Sequence, residues 1–144
     1  MGVEAAFWSA RRVLVTGNTG FKGSWLTLWL RRLGADVTGL ADAVPTEPSL
    51  YRLAALGDDV PQHWVDMRDA DGVAAAVRAV RPEIVIHMAA QPMVRRSFAS
   101  PLQTYAVNVM GSAHVLDAVR TCDDTRVVVN VTTDKCYENR EWEW

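Results

Sequence analysis

Features typical of membrane, secreted and nucleic-acid-binding proteins are scarce in this sequence of 144 residues. No apolar run approaches the ~18 residues of a membrane span, and the first residues lack the cationic start and apolar core of a secretory signal. The net charge of -2 gives no reason to expect a nucleic-acid or membrane partner attracted by charge. Only two cysteines occur, in no metal-type spacing, so we expect no metal site and a reduced, cytoplasmic setting.

The rest of the composition is that of one globular domain. Hydrophobic residues make up 49% of the chain, and a domain of this size buries about 68–70% of the surface that its unfolded chain exposes. Apolar runs of strand length alternate with patterns of helical period. The predicted strands cover residues 13–15, 36–41, 63–65, 84–86 and 126–131, and the predicted helices cover residues 25–33, 69–80 and 101–121, with a short helix near 49–56.

This alternation of near-continuous apolar strands and helices predicts an α/β fold with a doubly wound parallel sheet of Rossmann type, covered by helices on both faces. The first long helix is predicted to bury a broad apolar face. Its members are Trp25, Leu26, Leu28, Trp29, Leu30 and Leu33.

A glycine loop joins the first predicted strand to that helix and is the strongest functional signal. Gly17 would let the chain turn tightly, Gly20 would let the backbone approach a pyrophosphate, and Gly23 would let the helix pack close to the strand. The unpaired N–H groups of the helix start would then face the phosphates. The loop therefore predicts a dinucleotide site, with a glycine-rich connection that binds nothing as the alternative. The intervening candidates are Thr19, Phe21 and Lys22.

Acidic residues follow the second and third predicted strands, at the sheet edge where ligands of such folds bind. Asp42 lies roughly 20 residues after the loop, where a carboxylate accepts hydrogen bonds from a ribose diol and disfavours a 2′-phosphate, so we predict NAD rather than NADP. Asp66 is placed to accept from the adenine amino group, with Met67 against the ring. The alternatives are a solvated loop aspartate for Asp42 and a helix N-terminal carboxylate for Asp66.

Small residues follow the fourth predicted strand. Ala89 and Ala90 would let a flat cofactor approach closely, although small residues also pack helices against sheets. His87, just before them, is interpreted as a hydrogen-bonded core histidine rather than a catalyst.

Three residues with reactive side chains, Thr133, Asp134 and Lys135, follow the fifth predicted strand. A hydroxyl, a carboxylate and an amine in sequence can bond a sugar hydroxyl, donate a proton and withdraw one. Lys135 would first have to lose its own proton, through desolvation or a neighbouring cation. By themselves these residues are better interpreted as a loop with an incidental ion pair.

Taken together and in order, the segments resemble the CDP-glucose 4,6-dehydratase family of extended short-chain dehydrogenases/reductases. The resemblance runs from about Arg12 to the end of the chain, and sibling dehydratases for dTDP-glucose and GDP-mannose carry Glu where this chain has Lys135. The segments that carry it are 16–26, 48–50, 66–69, 87–92, 108–111, 133–137 and 139–142.

The resemblance implies an NAD-dependent lyase that converts CDP-glucose to CDP-4-keto-6-deoxyglucose in deoxysugar biosynthesis. A hydride leaves sugar C4, water is lost across C5 and C6, and the hydride returns to C6. Thr133 would bond the 4-hydroxyl, Asp134 would protonate the departing 6-hydroxyl, and Lys135 would stand where the base at C5 stands. The resemblance also assigns Gln91 and Asn108 to the cofactor site and allows for a homo-oligomer of the intact protein.

Departures from the family pattern limit these expectations. Asn18 stands where the family usually has His, the family's acidic ribose residue would fall at Ala43 rather than Asp42, and no Tyr-x-x-x-Lys motif occurs. We therefore expect residues 1–144 to be the amino-terminal part of a dinucleotide-binding domain, with further strands and the sugar-nucleotide domain outside them. The alternatives are an NAD-binding pseudoenzyme, a truncated non-functional fragment, and another sugar-nucleotide epimerase or dehydratase.

Overall fold

A computed structural model of the chain describes residues 4–133, 137, 138 and 140. Its strands are β1 (Arg12–Thr16), β2 (Asp36–Ala41), β3 (Gln62–Trp64), β4 (Ile84–His87) and β5 (Val127–Asn130). Its α-helices are α1 (Ala5–Trp8), α2 (Phe21–Arg32), α3 (Leu50–Leu53), α4 (Leu56–Asp59), α5 (Ala70–Val80), α6 (Val94–Ala99), α7 (Pro101–Tyr105) and α8 (Gly111–Arg120). A π-helical segment, Ala106–Met110, joins α7 to α8.

The five strands form one sheet in the order β3-β2-β1-β4-β5, and every neighbouring pair is parallel. Strand β1 is central, with Leu14 beside Thr38 of β2 and Val85 of β4. The chain builds outward from β1 to β3 on one side and then from β4 to β5 on the other, which places the reversal of strand order between β1 and β4. The predicted doubly wound parallel sheet is confirmed.

Each face of the sheet has its own apolar core. Leu14 and Val85 point to the face covered by α5 and α8, where they pack with Val77 and other buried residues. Their neighbours along the strands, Val13 and Ile84, point to the opposite face and pack with Leu30 of α2. Successive strand residues alternate between faces, so a sheet covered on both sides needs apolar residues at every position.

Helix α2 differs from its predicted amphipathic form. Trp25 and Trp29, predicted on its apolar face, are 56% and 53% exposed. The buried positions of α2 are Gly23, Ser24, Thr27 and the predicted Leu30. The predicted Leu26 and Leu28 are half-buried and pack against the apolar cores. The hydroxyls on this face bond locally, Thr27 to the carbonyl oxygen of Gly23 and Ser24 to that of Asn18. Small side chains occupy the part of α2 that lies next to β1, and the predicted apolar face is corrected at Trp25 and Trp29.

The other predicted helices hold with local differences. Asp69 caps α5, its carboxylate accepting from the backbone N–H of Gly72 at 3.0 Å. The predicted helix 101–121 is helical from Pro101 to Arg120, but a π-helical segment interrupts it. Sequence patterns did not predict α1 or α6. Among the described residues, no helix has both the length and the apolar character that crossing a membrane requires.

Candidate functional site

Two of the three loop glycines are required by the protein's own backbone packing. Gly17 has φ +70°, and a Cβ there would lie 2.8 Å from backbone atoms of Ala89. A Cβ on Gly23 would lie 2.1 Å from the carbonyl oxygen of Gly17. Side chains at either position would force the loop away from β4 or from α2.

The third glycine, Gly20, is not required in this way. Its φ is -73° and a Cβ would meet only the carbonyl oxygen of Gly17, at 3.4 Å, which is ordinary contact. Gly20 is also the N-cap of α2, and no side chain caps this helix end. An uncapped helix start beside a bare backbone fits an anionic group, so a dinucleotide pyrophosphate suits this position.

The neighbouring loop candidates divide into buried and open positions. Thr19 is buried, and its hydroxyl donates to the carbonyl oxygen of Ala43 at 2.7 Å, which fastens the glycine loop to the turn after β2. Phe21 and Lys22 are exposed at the start of α2. Thr19 therefore shapes the loop, while Phe21 and Lys22 remain open to a ligand.

A cation that the sequence analysis missed lies at the predicted adenosine end of the site. The Arg68 side chain donates to both carboxylate oxygens of Asp66, with Nε at 3.0 Å from each. These bonds lower the pKa of Asp66. The pKa of Arg68 is raised, mainly by its hydrogen bonds to Asp66 and to a smaller extent by the charge of Asp42. Arg68 thus favours the ionised form of Asp66, in which both oxygens accept hydrogen bonds, and the spacing Asp-x-Arg was the available signal.

Met67, predicted to lie against an adenine ring, has its side chain inside the core. It is 5% exposed, and a Cβ on Gly111 of α8 would lie 2.8 Å from the Cβ of Met67. Its carbonyl oxygen is 2.8 Å from Nδ1 of His114. The Met67 side chain is therefore mostly buried rather than open at the sheet edge, and its predicted contact with an adenine ring stays a prediction.

Thr16 and His87 end the two strands that flank the point where strand order reverses. The Thr16 hydroxyl oxygen lies 2.6 Å from His87 Nδ1 and accepts from the backbone N–H groups of Met88 and Ala89, each at 3.1 Å. His87 is 3% exposed, and burial lowers its pKa. The interpretation of His87 as a hydrogen-bonded core histidine is confirmed.

The turn after β4 is held by the π-helical segment. The Asn108 amide brackets the backbone of Gln91, accepting from its N–H at 2.7 Å and donating to its carbonyl oxygen at 3.1 Å. The Gln91 side chain donates to the Thr104 hydroxyl at 3.1 Å. Ala89 is half-buried and Ala90 exposed. The four candidates of this region therefore lie together, and their contact with a cofactor stays a prediction.

The predicted catalytic residues fall at the limit of the described chain. Asp134 and Lys135 lie outside the described residues. The backbone N–H of Val131 donates to the carbonyl oxygen of His87 at 3.0 Å, which keeps the chain beyond β5 beside the end of β4. Thr133 follows on this edge and is exposed.

Asn18, where the family pattern has His, is buried under the loop rather than open to a ligand. Its amide nitrogen donates to Gln62 Oε1 at 2.8 Å, and the amide fills the space over Gly39, where a Cβ would lie 2.1 Å from it. Its Oδ1 has no hydrogen-bond partner among the described residues. A buried amide oxygen of this kind is commonly bonded by an ordered water.

Comparison with known proteins gives one matching family and many similar structures. The profile of the GDP-mannose 4,6 dehydratase family matches residues 14–141. The CDP-glucose 4,6-dehydratase of Salmonella typhimurium is 49% identical over 142 residues, which are 99% of this chain and 40% of that protein. The UDP-glucose 4-epimerase 4 of Oryza sativa is 35% identical, over 80% of this chain and 32% of its own length.

Two solved structures show the same fold. The UDP-glucose 4-epimerase of Thermus thermophilus in complex with NAD has a TM-score of 0.71 at 34% identity, covering 81% of this chain and 36% of that chain. The UDP-glucose-4-epimerase of Stenotrophomonas maltophila with bound NAD and formylated UDP-arabinopyranose has a TM-score of 0.77 at 26% identity. The match covers 92% of this chain and 40% of that chain. The chain thus spans about 40% or less of the length of these relatives.

We expect Gly20→Ala and Gly23→Ala to separate binding from folding. Gly20→Ala should change the free energy of unfolding by less than about 1 kcal/mol, since only an N-cap preference is lost. It should weaken NAD binding more than about tenfold, because the methyl group occupies the space for the pyrophosphate. Gly23→Ala, the matched control, should destabilise the fold by about 1–3 kcal/mol. Urea unfolding and isothermal titration with NAD measure both effects, and unchanged affinity in Gly20→Ala would place the phosphates elsewhere.

The burial of neutral His87 predicts a loss of stability in mild acid. The unfolded chain takes up a proton near pH 6.5, whereas the native pKa is lower, so the unfolded state binds more protons below that pH. The free energy of unfolding should therefore fall as the pH drops below about 6.5, by up to about 1.4 kcal/mol per pH unit from this group. Urea unfolding between pH 7.5 and 5.5 measures the slope.

His87→Gln should remove the contribution of His87 to the pH dependence of the free energy of unfolding. His63→Gln, at the β3 edge of the sheet, is the control and should keep that pH dependence. Equal slopes for wild type and His87→Gln would show that His87 does not control this acid sensitivity.

Proposed function

The chain belongs to the GDP-mannose 4,6 dehydratase family, and we propose that it is the amino-terminal part of an NAD-dependent CDP-glucose 4,6-dehydratase. The observation that carries the proposal is the similarity to the Salmonella enzyme along 99% of this chain. Lys135 is the position at which the sequence resemblance separates this branch from its siblings. The bare backbone at Gly20 supports a dinucleotide as the cofactor.

NAD would lie along the carboxyl ends of the strands, with its halves on either side of β1. Asp42 and Asp66 would receive the adenosine half beyond β2 and β3, where Arg68 keeps Asp66 ionised. The start of α2 would receive the pyrophosphate through backbone N–H groups near Gly20. Ala89 would then face the nicotinamide half beyond β4. A carboxylate at the ribose diol repels a 2′-phosphate, which supports NAD over NADP.

When bound, NAD supplies a hydride acceptor for sugar C4 and a hydride donor for C6. The residues that follow β5 would carry the proton transfers. Thr133 would hydrogen-bond the 4-hydroxyl, Lys135 would remove the C5 proton, and Asp134 would protonate the 6-hydroxyl so that it leaves as water. The departing water would consist of the 6-hydroxyl and the proton from Asp134, and Lys135 would return its proton to C5 when the hydride returns to C6. The proton that the 4-hydroxyl loses on oxidation would pass to the base that the Tyr-x-x-x-Lys motif supplies in the family, a motif absent from residues 1–144.

The same proposal includes the substrate class, the cellular location and the self-association of the enzyme. The substrate class is a nucleotide sugar, and the product would enter deoxysugar biosynthesis. A cytoplasmic location suits a chain whose two cysteines would stay reduced. Self-association of the intact protein is part of the same expectation.

We expect Lys135→Ala and Asp134→Asn in the intact enzyme to slow water loss while C4 oxidation continues. General acid or base help of this kind contributes about 10²–10⁴-fold, and an amide positions like a carboxyl but supplies no proton. Reduced cofactor should accumulate, as measured by stopped-flow absorbance with CDP-glucose. Deuterium exchange at C5 should be lost in Lys135→Ala, which distinguishes the two variants.

The matched control is Glu138→Gln, which neutralises a nearby carboxylate paired with Arg140 and should turn over normally. Wild-type turnover in Lys135→Ala would contradict the assignment of Lys135 and favour a different sugar-nucleotide branch, such as the epimerases.

A further inference from the structure

A chain of hydrogen bonds runs from β1 through β4 to the π-helical segment, and His87 is its central member. We propose that His87, fixed as the neutral tautomer with its proton on Nε2, is a positioning residue that sets the turn after β4 against the glycine loop. The role rests on the proposed function, because this turn is where the nicotinamide half of NAD would lie.

The donors and acceptors around Thr16 determine which nitrogen of His87 carries the proton. The Thr16 hydroxyl oxygen accepts from the backbone N–H of Ala89 and shares the N–H of Met88 with the Thr16 carbonyl oxygen. With its acceptor positions engaged in this way, the hydroxyl has its hydrogen left for the 2.6 Å contact with His87 Nδ1. Nδ1 therefore accepts, and the proton of the neutral ring is on Nε2.

The contacts on the other side of the ring agree with this direction. His87 Nε2 lies 3.0 Å from the Ser112 hydroxyl, and that hydroxyl donates to the carbonyl oxygen of Asn108 at 2.7 Å. Ser112 thus has its hydrogen in use and accepts from Nε2. A protonated His87 would aim a second N–H at a Thr16 hydroxyl oxygen that already accepts from Ala89 and shares the N–H of Met88, so these contacts favour the neutral ring.

Both ends of the network finish at the same turn. Thr16 fixes the backbone of Ala89, which lies so close to Gly17 that a Cβ could not fit between them. Ser112 bonds the carbonyl oxygen of Asn108, and the Asn108 amide brackets Gln91 two residues further along the turn. The turn from 88 to 91 is therefore held at its start and its end by groups that meet at His87.

The π-helical geometry is consistent with this role. Segments of this kind are rare and occur frequently at functional sites. Here Asn108 lies within the π segment and uses its side chain for the turn and its carbonyl oxygen for Ser112. Moving Ser112 away from His87 would also move the π-helical segment that contains Asn108. The network therefore connects β4 with α8, the π-helical segment and the turn after β4.

The protonation state can be measured directly in the intact, ¹⁵N-labelled protein by long-range ¹H–¹⁵N correlation spectra, in which protonated and bare imidazole nitrogens have distinct shifts. His87 should show a protonated Nε2 and a bare Nδ1. His114 is the internal control, because its Nδ1 lies 2.8 Å from a carbonyl oxygen and must donate, so it should carry a proton on Nδ1. A proton on Nδ1 of neutral His87 would overturn the proposal.

The positioning role is tested by NAD titration of matched variants. Thr16→Val removes the acceptor for two N–H groups and the donor to His87, so NAD should bind about tenfold more weakly and the Nδ1–H form of His87 should increase. Thr16→Ser retains the hydroxyl and should restore both properties. Thr125→Val removes the donor of a hydrogen bond to the carbonyl oxygen of Pro82, at the other end of the sheet, and should leave NAD affinity unchanged.

The outcomes separate this inference from the proposed function. If wild type binds NAD and Thr16→Val binds it as tightly, the positioning role is overturned while the proposed function stands. If wild type binds no NAD, the proposed function fails and the cofactor role of the network fails with it. Equal weakening in Thr125→Val would show that general loss of stability, not position, lowers the affinity.

Discussion

The close approach of two backbone turns, one after β1 and one after β4, is the constraint on which the rest of this site depends. Gly17 and Ala89 meet with no room for a Cβ, and the Thr16 hydroxyl accepts from the backbone N–H of Ala89 and shares the N–H of Met88 with the Thr16 carbonyl oxygen. An unpaired buried N–H group costs about 1–3 kcal/mol, so the hydroxyl at the end of β1 stabilises this contact through Ala89. The protein's own contacts thereby hold the turns after β1 and β4 in position at the carboxyl edge of the sheet without a ligand.

The same closeness explains why α2 has an unusual composition. Because Gly23 lies against the carbonyl oxygen of Gly17, the backbone of the first turn of α2 is in close contact with the loop that follows β1. The buried positions of its first two turns are Gly23, Ser24 and Thr27, and the hydroxyls of Ser24 and Thr27 bond backbone carbonyl groups there. The tryptophans of α2 are consequently displaced to the outer surface. Helical periodicity alone cannot reveal this, since it counts apolar residues and does not measure the distance to the sheet.

Local sequence signals predicted the sheet well and the contacts of the site less well. Strand β2 and helix α5 follow from apolar runs and helical periodicity, which act over a few residues. Arg68 was missed although its partner is two residues away, and the Asn108 bracket joins residues 17 positions apart through a π-helical segment. Such contacts depend on where separate elements meet, and no periodicity in one segment encodes that.

The three loop glycines show how structure refines a sequence motif into separate physical roles. In the sequence they are equivalent members of one spacing. In the structure, Gly17 and Gly23 are explained by the protein's own backbone, whereas Gly20 has an ordinary φ and room for a side chain. Glycine is a favoured residue at an N-cap, which is the position of Gly20 in α2. The close approach of an anionic group to this helix start, which we propose for NAD, would be a second reason for a glycine there.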